Sequence, residues 1–493
     1  MMRCSEFIIE LDRYNLVEFA DNNINDLEIL DITFNSIEVS KQTAFFCKGE
    51  SFKEEYLEDA IKRGAILYIS EKKYSVDLPC IIVKDVRRAM LVLASLFFGR
   101  PDEKLKIVAV TGTKGKSTTV MFLKHALDKC LVDENKKPVG LISSILTYDG
   151  KNSYESSLTT PEAIPLYRNL YNAVQSGLKY MIVEVSSQAL KYDRIGMLDC
   201  DVVCILNIDR DHISDNEHPT LEDYIESKLK ILSLSDNVVY YLDTEYLDKI
   251  NEIAIARNMQ IKTFSIQNEK ADYYAVDKGL NNGKTEFSYR GKVYRLNTFG
   301  SYNIENAMCT LAVSEIFGFN AEYILEALDG VDVDGRSNLY MTEDGNIIGL
   351  VDYAHNELSF EKALSSLRKS FSEYKIYSVF GATGNKAKNR RVDLPRAASK
   401  YSDFIAIVPD DPNFEQYEDI AKIMIENIDG VEYKVYNTRK EAIEEIFNSS
   451  EDKKVLFLAG KGHEGFQKIN GQLIPIQTDA EVFKECAEIN NNK

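Results

Sequence analysis

The sequence predicts an α/β protein built as three domains, over residues 1–103, 104–332 and 333–493. Length is the first observation: 493 residues suit three domains of roughly 100–200 residues each. The second is a central stretch in which near-continuous apolar runs (KIVAVTGT, KYMIVEVSS, DVVCILNID) alternate with helical segments. Strands of a parallel sheet are buried on both faces, so they read as unbroken apolar runs. The third is a restart of this alternation after the linker-like DVDGRSNLY, with IIGLVDYA, KIYSVFGATG, DFIAIVPDD and KVLFLAGKG. That second series predicts a separate, doubly wound, Rossmann-like domain.

Taken in order, GAILYIS (64–70) and CIIVKD (80–85) predict strands of a small α/β first domain. RRAMLVLASLFFG predicts a helix ending near Gly99, with Pro101 as a stop signal. In the middle domain KIVAV runs into a glycine loop and then a helix of STTVMFLKHALDKC composition. ESKLKILSL predicts a further helix and NVVYYLD a further strand. EKADYYAVD through KTEFSYRGKVYRLNTFG predicts antiparallel hairpins turning at Asn281–Gly283 and Arg290–Gly291. The helix NIENAMCTLAVSEIFG follows, then the segment AEYILEALDG, and no internal repeat interrupts the series.

Charge narrows the partners. A net charge of −19 repels nucleic acid and anionic membrane surfaces, so neither is an expected partner. Small-molecule substrates are expected instead, bound by a monomer. The opening MMRCSEFIIELDRYNL has early acidic residues and no long apolar core, and no run reaches the ~18 apolar residues of a spanning helix. The expected location is cytoplasmic. The eight cysteines are scattered; Cys200 and Cys204 fall in the strand-like CDVVC, and all eight are expected as reduced core thiols. No Cys/His cluster has zinc spacing.

The sharpest local signal is VAVTGTKGKSTT (Val108 to Thr119). A buried strand leads into a glycine loop, and a helix starts at Lys116–Ser117. Loop amides and a helix N-terminus form an anion site. Lys116 is placed to reach the outer phosphates of a nucleotide, and the Ser117 hydroxyl to ligate Mg²⁺. The strict pattern G-x-x-x-x-G-K-[ST] fails, because Val110 stands where its first glycine belongs. Glu184, at the carboxyl end of the strand in MIVEVSSQAL, supplies an oxygen ligand of the kind Mg²⁺ prefers.

The run TGTKGKST resembles the phosphate loop of the Mur ligases of bacterial cell-wall synthesis, which have this variant spacing; folylpolyglutamate synthetases share it. The resemblance extends over residues of about 110 to 464 through TTP, EVSSQ, DRDH, ESK, DYAH, PDDPN and AGKGHE. It implies a small N-terminal uridine-binding domain, a central ATPase domain with a parallel sheet, and a C-terminal Rossmann-like domain for the amino acid. ITFNSIEV with FFCKGESF is similar to the uridine-binding part, where Ser36 matches the family serine. Folylpolyglutamate synthetases lack that domain.

The resemblance also assigns residues. Gly112, Thr113, Lys114, Gly115, Lys116, Ser117 and Thr118 would cradle ATP, with Asn303 of GSYNIENA on the adenine, Arg336 at the hinge, and Asp352, Tyr353 and His355 of DYAHN along the nucleotide side. Mg²⁺ would be held by Ser117, Glu184, His212 and Lys228, the last carbamylated by CO₂ so that a cation becomes an anionic oxygen ligand. Lys116, Glu184, His212 and Lys228 are thus the expected catalytic group. Thr159, Thr160, Ser186 and Arg194 would hold a uridylated sugar-peptide, with Tyr192 standing where another polar residue is common. Arg391 would bind the α-carboxylate of an incoming amino acid, and Gly460 and Glu464 its amine end. Asn356 replaces a usual Thr, and GNKAKNRR lacks the acidic residues usual in its segment.

AGKGHE is similar to the branch of the family that adds the third residue of the peptide. Members adding meso-diaminopimelate carry D-N-P-R, whose Arg clasps a distal carboxylate; here the loop is Asp410–Asp411–Pro412–Asn413. Without that cation, and with Asp411 adding negative charge, a side-chain ammonium is favoured. L-lysine is the expected amino acid, with ornithine the near competitor. The implied reaction joins it to the D-Glu of UDP-MurNAc-L-Ala-D-Glu through an acyl phosphate made from ATP. The competing readings are a folylpolyglutamate-synthetase-like ligase, a phosphate-loop ATPase or kinase, and a nucleotide-binding relative without ligase activity.

Overall fold

A computed structural model describes residues 1–49, 52–156, 158–209, 217–451 and 453–491. Each expected apolar run forms a strand, and the strands assemble into three main sheets. The first has the order Val17–Ala20, Cys80–Val83, Ala65–Ser70, Thr43–Phe46, Asp31–Thr33, parallel except at Val17–Ala20. Helix Val86–Phe97 starts at Asp85, whose carboxylate caps the Arg87 and Arg88 amides, and it is buried on all sides from Ala89 to Ser95. Its apolar residues belong to one core shared with helix Ala163–Gln175 and one face of the second sheet. The first sheet is therefore packed onto the second rather than tethered beside it.

The second sheet has nine strands. Lys106–Thr111 lies between Tyr180–Glu184 and Val202–Ile205, and the parallel series continues through Asn237–Tyr241, Gln260–Ser265 and Tyr273–Tyr274. The other edge, Gly140–Ile142, Leu146–Tyr148 and Ser153–Glu155, finishes with antiparallel pairs. Helices Lys116–Asp133, Tyr302–Ile316 and Ala321–Ala327 cover one face, joined by the three-stranded meander Val276–Asn281, Lys284–Tyr289, Lys292–Leu296. The meander turns where Asn282, Gly283, Arg290 and Gly291 take positive φ, as the expected hairpin signals require.

The third sheet has the order Asn338–Met341, Ile347–Asp352, Lys454–Ala459, Lys375–Phe380, Phe404–Ile407, Glu432–Val435, with an apolar cluster on each face. Its four inner strands are the four apolar runs of the sequence. The two edge strands lacked such a signal. Glu432–Val435 is exposed throughout. Asn338–Met341 forms from the end of the stretch read as linker, because its backbone completes the antiparallel edge against Ile347–Asp352. All eight cysteines are buried free thiols, as expected. No helix among the described residues is long and apolar enough to cross a membrane.

What remains of the linker packs tightly. Gly335 has φ +68°, and a Cβ there would lie 2.1 Å from the His463 backbone nitrogen. Both the left-handed backbone and the contact exclude a side chain. Gly335→Ala is expected to lower stability by about 1–3 kcal/mol, read as a fall in the denaturation midpoint. An unchanged midpoint would mean the two loops separate at no cost.

Candidate active site

Three neighbouring parallel strands end side by side. In register, Val110 pairs with Glu184 on one flank and Cys204 on the other. The loop after Lys106–Thr111, the carboxylate ending Tyr180–Glu184 and the segment after Val202–Ile205 are thereby delivered to one edge, where open α/β sheets place ligands. Gly115 caps helix Lys116–Asp133 at φ +84°, and a Cβ there would meet Asn306 Oδ1 at 2.4 Å. The glycine thus allows the loop to close on helix Tyr302–Ile316. Asn207 clamps the loop from the other side: its Oδ1 accepts from the Lys114 amide at 2.8 Å and its carbonyl from the Thr113 amide at 3.0 Å. The Lys116 ammonium donates to the Gly112 carbonyl at 2.9 Å.

Glu184 is 1% exposed. A carboxylate buried so deeply must be hydrogen-bonded, and this one accepts from Ser117 Oγ at 2.9 Å, the Ser144 amide at 2.9 Å and Ser144 Oγ at 3.1 Å. Ser117 and Glu184 together offer a hard-oxygen donor set of the kind Mg²⁺ takes. On the opposite side Thr113 Oγ1 meets the Tyr224 hydroxyl at 2.9 Å. One helical turn on, the buried Lys228 lies with its Nζ 4.8 Å from the Tyr224 ring. Lys228 is thus one side chain removed from the loop. His212, with Asp211, lies outside the described residues.

The third sheet faces this edge across a cleft. Arg336 stacks on the Tyr353 ring at 4.3 Å and reaches Ser117 Oγ at 3.5 Å. Burial raises the Asp352 carboxyl above the usual range; it accepts from the Ser337 amide and hydroxyl at 2.7 and 2.8 Å and from the Ala354 amide at 2.7 Å. His355 donates through Nδ1 to the Tyr353 carbonyl at 2.7 Å. Lys114, Gly115, Asn303, Glu305, Arg336 and His355 line one pocket of the cleft; Thr118 lines it too. Burial lifts the Glu305 carboxyl from 4.5 to about 7.

Thr160 Oγ1 donates to the Glu184 carbonyl at 2.8 Å and accepts from the Ser186 amide at 3.0 Å, and Arg194 donates to the Thr160 carbonyl at 3.1 Å. Thr159 lines the cleft. Ser36 is half-buried in a single 3₁₀ turn of the first sheet's edge. On the far side, Asp410, Asp411, Gly460 and Glu464 line a second pocket. Lys461 bridges two of these acids, at 3.0 Å from Asp411 and 2.7 Å from Glu464. The Asn413 side chain is engaged with the hairpin Phe466–Pro475, accepting from the Gly471 amide at 2.9 Å. Arg391, expected from the resemblance to bind the α-carboxylate of an amino acid, is buried and ion-paired. Both its terminal nitrogens pair with Glu415 at 2.9 Å, which holds the Glu415 carboxyl down to about 2.

A description of the Mur ligase middle domain matches residues 110–314, and one of the Mur ligase glutamate ligase domain matches 335–462. A protein of Ligilactobacillus salivarius named UDP-N-acetylmuramyl-tripeptide synthetase is 34% identical over 97% of this chain and 98% of its own. The chain belongs to the Mur ligase family. An Enterococcus faecalis relative, named UDP-N-acetylmuramoyl-L-alanyl-D-glutamate–L-lysine ligase, is 34% identical over 94% of this chain and 93% of its own. Among solved structures, a UDP-N-acetylmuramoyl-L-alanyl-D-glutamate–2,6-diaminopimelate ligase shares the three-domain fold, with TM-score 0.65, 23% identity and coverage of 96% of this chain and 97% of that one. A folylpolyglutamate synthase of Thermotoga maritima aligns with TM-score 0.55 and 18% identity, covering 75% of this chain and 89% of that one.

Several residues of this Mur ligase site went unread in the sequence. Ser144 follows a three-residue strand and has no pattern of its own. Tyr224 had a usable signal, lying four residues before Lys228 and hence on the same helix face. Asn207 also had one, two residues past a buried strand. Glu305, which no motif marks, lines the cleft.

That glutamate carries a pH signature. Its carboxyl is raised in the native state, so its favourable contribution is complete below pH 4.5 and is lost as pH rises through about 7. Glu305→Gln is therefore expected to match the parent in thermal stability at pH 4.5 and to exceed it at pH 8. Melting curves at both pH values check this, and a gain of equal size at the two would reject it.

Proposed function

We propose that this Mur ligase joins L-lysine to the D-Glu of UDP-MurNAc-L-Ala-D-Glu, using ATP, in cytoplasmic synthesis of the cell-wall precursor. One observation carries the reading. The phosphate loop, the buried Glu184 and the Arg336–Tyr353–His355 face of the third sheet enclose a single cleft, with the Thr160–Ser186–Arg194 group on one side and the Asp410–Glu464 pocket on the other. A nucleotide, a carboxylate substrate and an amine substrate therefore have three adjoining seats. The relatives named as L-lysine ligases support the choice of amino acid, as does a pocket whose Asp410 and Glu464 carboxylates suit an ammonium. We divide the chain at 1–103, 104–332 and 333–493, a reading supported by one main sheet falling within each range.

In this mechanism the γ-carboxylate of D-Glu attacks the γ-phosphorus of ATP. The loop amides and Lys116 bind and orient the phosphates. Ser117 and Glu184, with His212 and Lys228 as further ligands, would hold Mg²⁺, which would supply charge neutralisation. ADP leaves, and the amine of lysine attacks the acyl phosphate carbon, expelling phosphate and losing a proton. Arg336, which spans from the third sheet to Ser117, helps close the cleft so that water does not consume the acyl phosphate. Lys228 is buried, which suits carbamylation by CO₂, since the carbamate would present an oxygen towards the loop.

Phosphate release is expected only when ATP, UDP-MurNAc-L-Ala-D-Glu and L-lysine are all present, with meso-diaminopimelate a poor substitute. Release from ATP alone at the same rate would make the chain an ATPase instead. Lys116→Ala is expected to cut turnover by about 10²–10³-fold or more with an unchanged melting temperature; wild-type turnover would count against the scheme. Incubation with ¹³C-bicarbonate is expected to give a carbamate carbon signal that disappears in Lys228→Gln. A signal surviving that substitution would place the modification elsewhere.

A further inference from the structure

We propose that Glu305 reads the base of the bound nucleotide, pairing with the N6–N7 edge of adenine and selecting ATP over GTP. The inference rests on the reading of the cleft as an ATP site given above, and gives a role to a residue that no motif marks.

The two ends of the nucleotide cleft differ in chemistry. Lys116, Ser117 and Glu184 line one end, where phosphates and a cation belong. Lys114, Gly115 and Thr118 line both ends, so a nucleotide runs along them. Asn303, Glu305, Asn306 and Lys362 line the other end. The nucleoside lies there once the phosphates occupy the first.

Helix Tyr302–Ile316 brings Asn303, Glu305 and Asn306 to this end, and both asparagines are already engaged. Asn303 Nδ2 donates to the Phe299 carbonyl at 2.8 Å, and its Oδ1 accepts from Asn306 Nδ2 at 3.0 Å. Asn306 Oδ1 accepts from Thr119 Oγ1 at 3.2 Å. The two residues are 1 and 5% exposed. The Tyr302 hydroxyl is likewise held, 2.8 Å from Ser337 Oγ. Asn303, expected from the resemblance to contact the adenine, therefore braces the start of the helix, and the half-buried Glu305 is left to meet the base.

Burial at the cleft wall lifts the Glu305 carboxyl to about 7, so its acid form is populated near neutrality. The Lys362 ammonium and the Tyr241 hydroxyl, which donates to it, act against burial, while Asp243 and Asp209 act with it. Lys114, Arg336, Asp352, Tyr353 and His355 are the other titratable groups lining this end. A carboxylic acid offers one donor and one acceptor. The N6–N7 edge of adenine offers the complementary pair, whereas that of guanine offers two acceptors. The ionised carboxylate has acceptors only and opposes the N7 lone pair. Adenine is thus held by two hydrogen bonds below about pH 7, and that advantage is lost as pH rises through this value.

Calorimetric titration of ADP and of GDP, each with MgCl₂, into the full-length protein at pH 6 and pH 8 tests this. The parent is expected to prefer ADP by about tenfold at pH 6. Glu305→Gln keeps a donor and an acceptor at every pH. It is expected to match the parent for ADP at pH 6 and to bind about tenfold tighter than the parent at pH 8. Comparing the two proteins at one pH cancels the titration of the phosphates. Glu305→Leu is expected to weaken ADP by about tenfold at pH 6 and to leave GDP unchanged. If Glu305→Leu weakens ADP and GDP equally, the carboxyl holds the ribose, which both share, and the proposal falls. It falls too if both variants bind ADP and GDP like the parent at both pH values and differ only in melting temperature. If the bases are discriminated as expected but the parent forms no amide, base reading by Glu305 stands and the ligase reading falls.

Discussion

Everything at the working edge of this molecule depends on the burial of one carboxylate. Glu184 is held by three hydrogen bonds from two serines, and a charge so enclosed is tolerable only while all of them are made. Ser117 belongs to the first turn after the phosphate loop, Ser144 to the segment after Gly140–Ile142, the strand beside Tyr180–Glu184, and the Glu184 carbonyl also anchors Thr160. Loop, strand end and substrate segment are therefore locked to one point. The lock follows from parallel register, because Glu184 stands beside Val110 and both chains run out of the sheet in the same direction. An antiparallel arrangement would send them to opposite edges.

Around that point the protein uses charge unevenly. Its surface is strongly acidic, yet the cleft and its borders collect cations: Lys116 and Lys114 on the loop, and Arg336 from the third sheet. Several are already engaged with protein acceptors, as Arg391 is with Glu415 and Lys461 with Asp411 and Glu464. Such pairs hold long side chains in place and keep the acids from repelling one another. They also mean that a cationic ligand entering the pocket of Asp410, Asp411 and Glu464 would compete with internal partners, in an exchange of ion pairs.

The chain's arrangement explains why three sheets are needed. The first shares its apolar core with the second, which makes a firm joint. The third meets the second through both polar and apolar groups, with Arg336 reaching Ser117 and Phe299 stacked on Phe371 within the third sheet's core.

Much of this was legible in the amino-acid order alone. Buried parallel strands have no solvent face, so KIVAV, YMIVE, VVCI and the four C-terminal runs announced themselves, and a glycine loop between strand and helix marked the anion site. Edge strands such as Glu432–Val435 did not, since they bury nothing and take their conformation from a neighbour. Side-chain partnerships were equally hidden. Nothing in the string tells that Ser144 meets Glu184, that Glu305 lines the cleft, or that Arg391 pairs with Glu415, because those contacts join residues far apart in sequence. Local pattern determined the elements and the chemistry they carry; only the packed chain decided which groups meet, since a buried charge is paired by whatever the fold brings within about 3 Å.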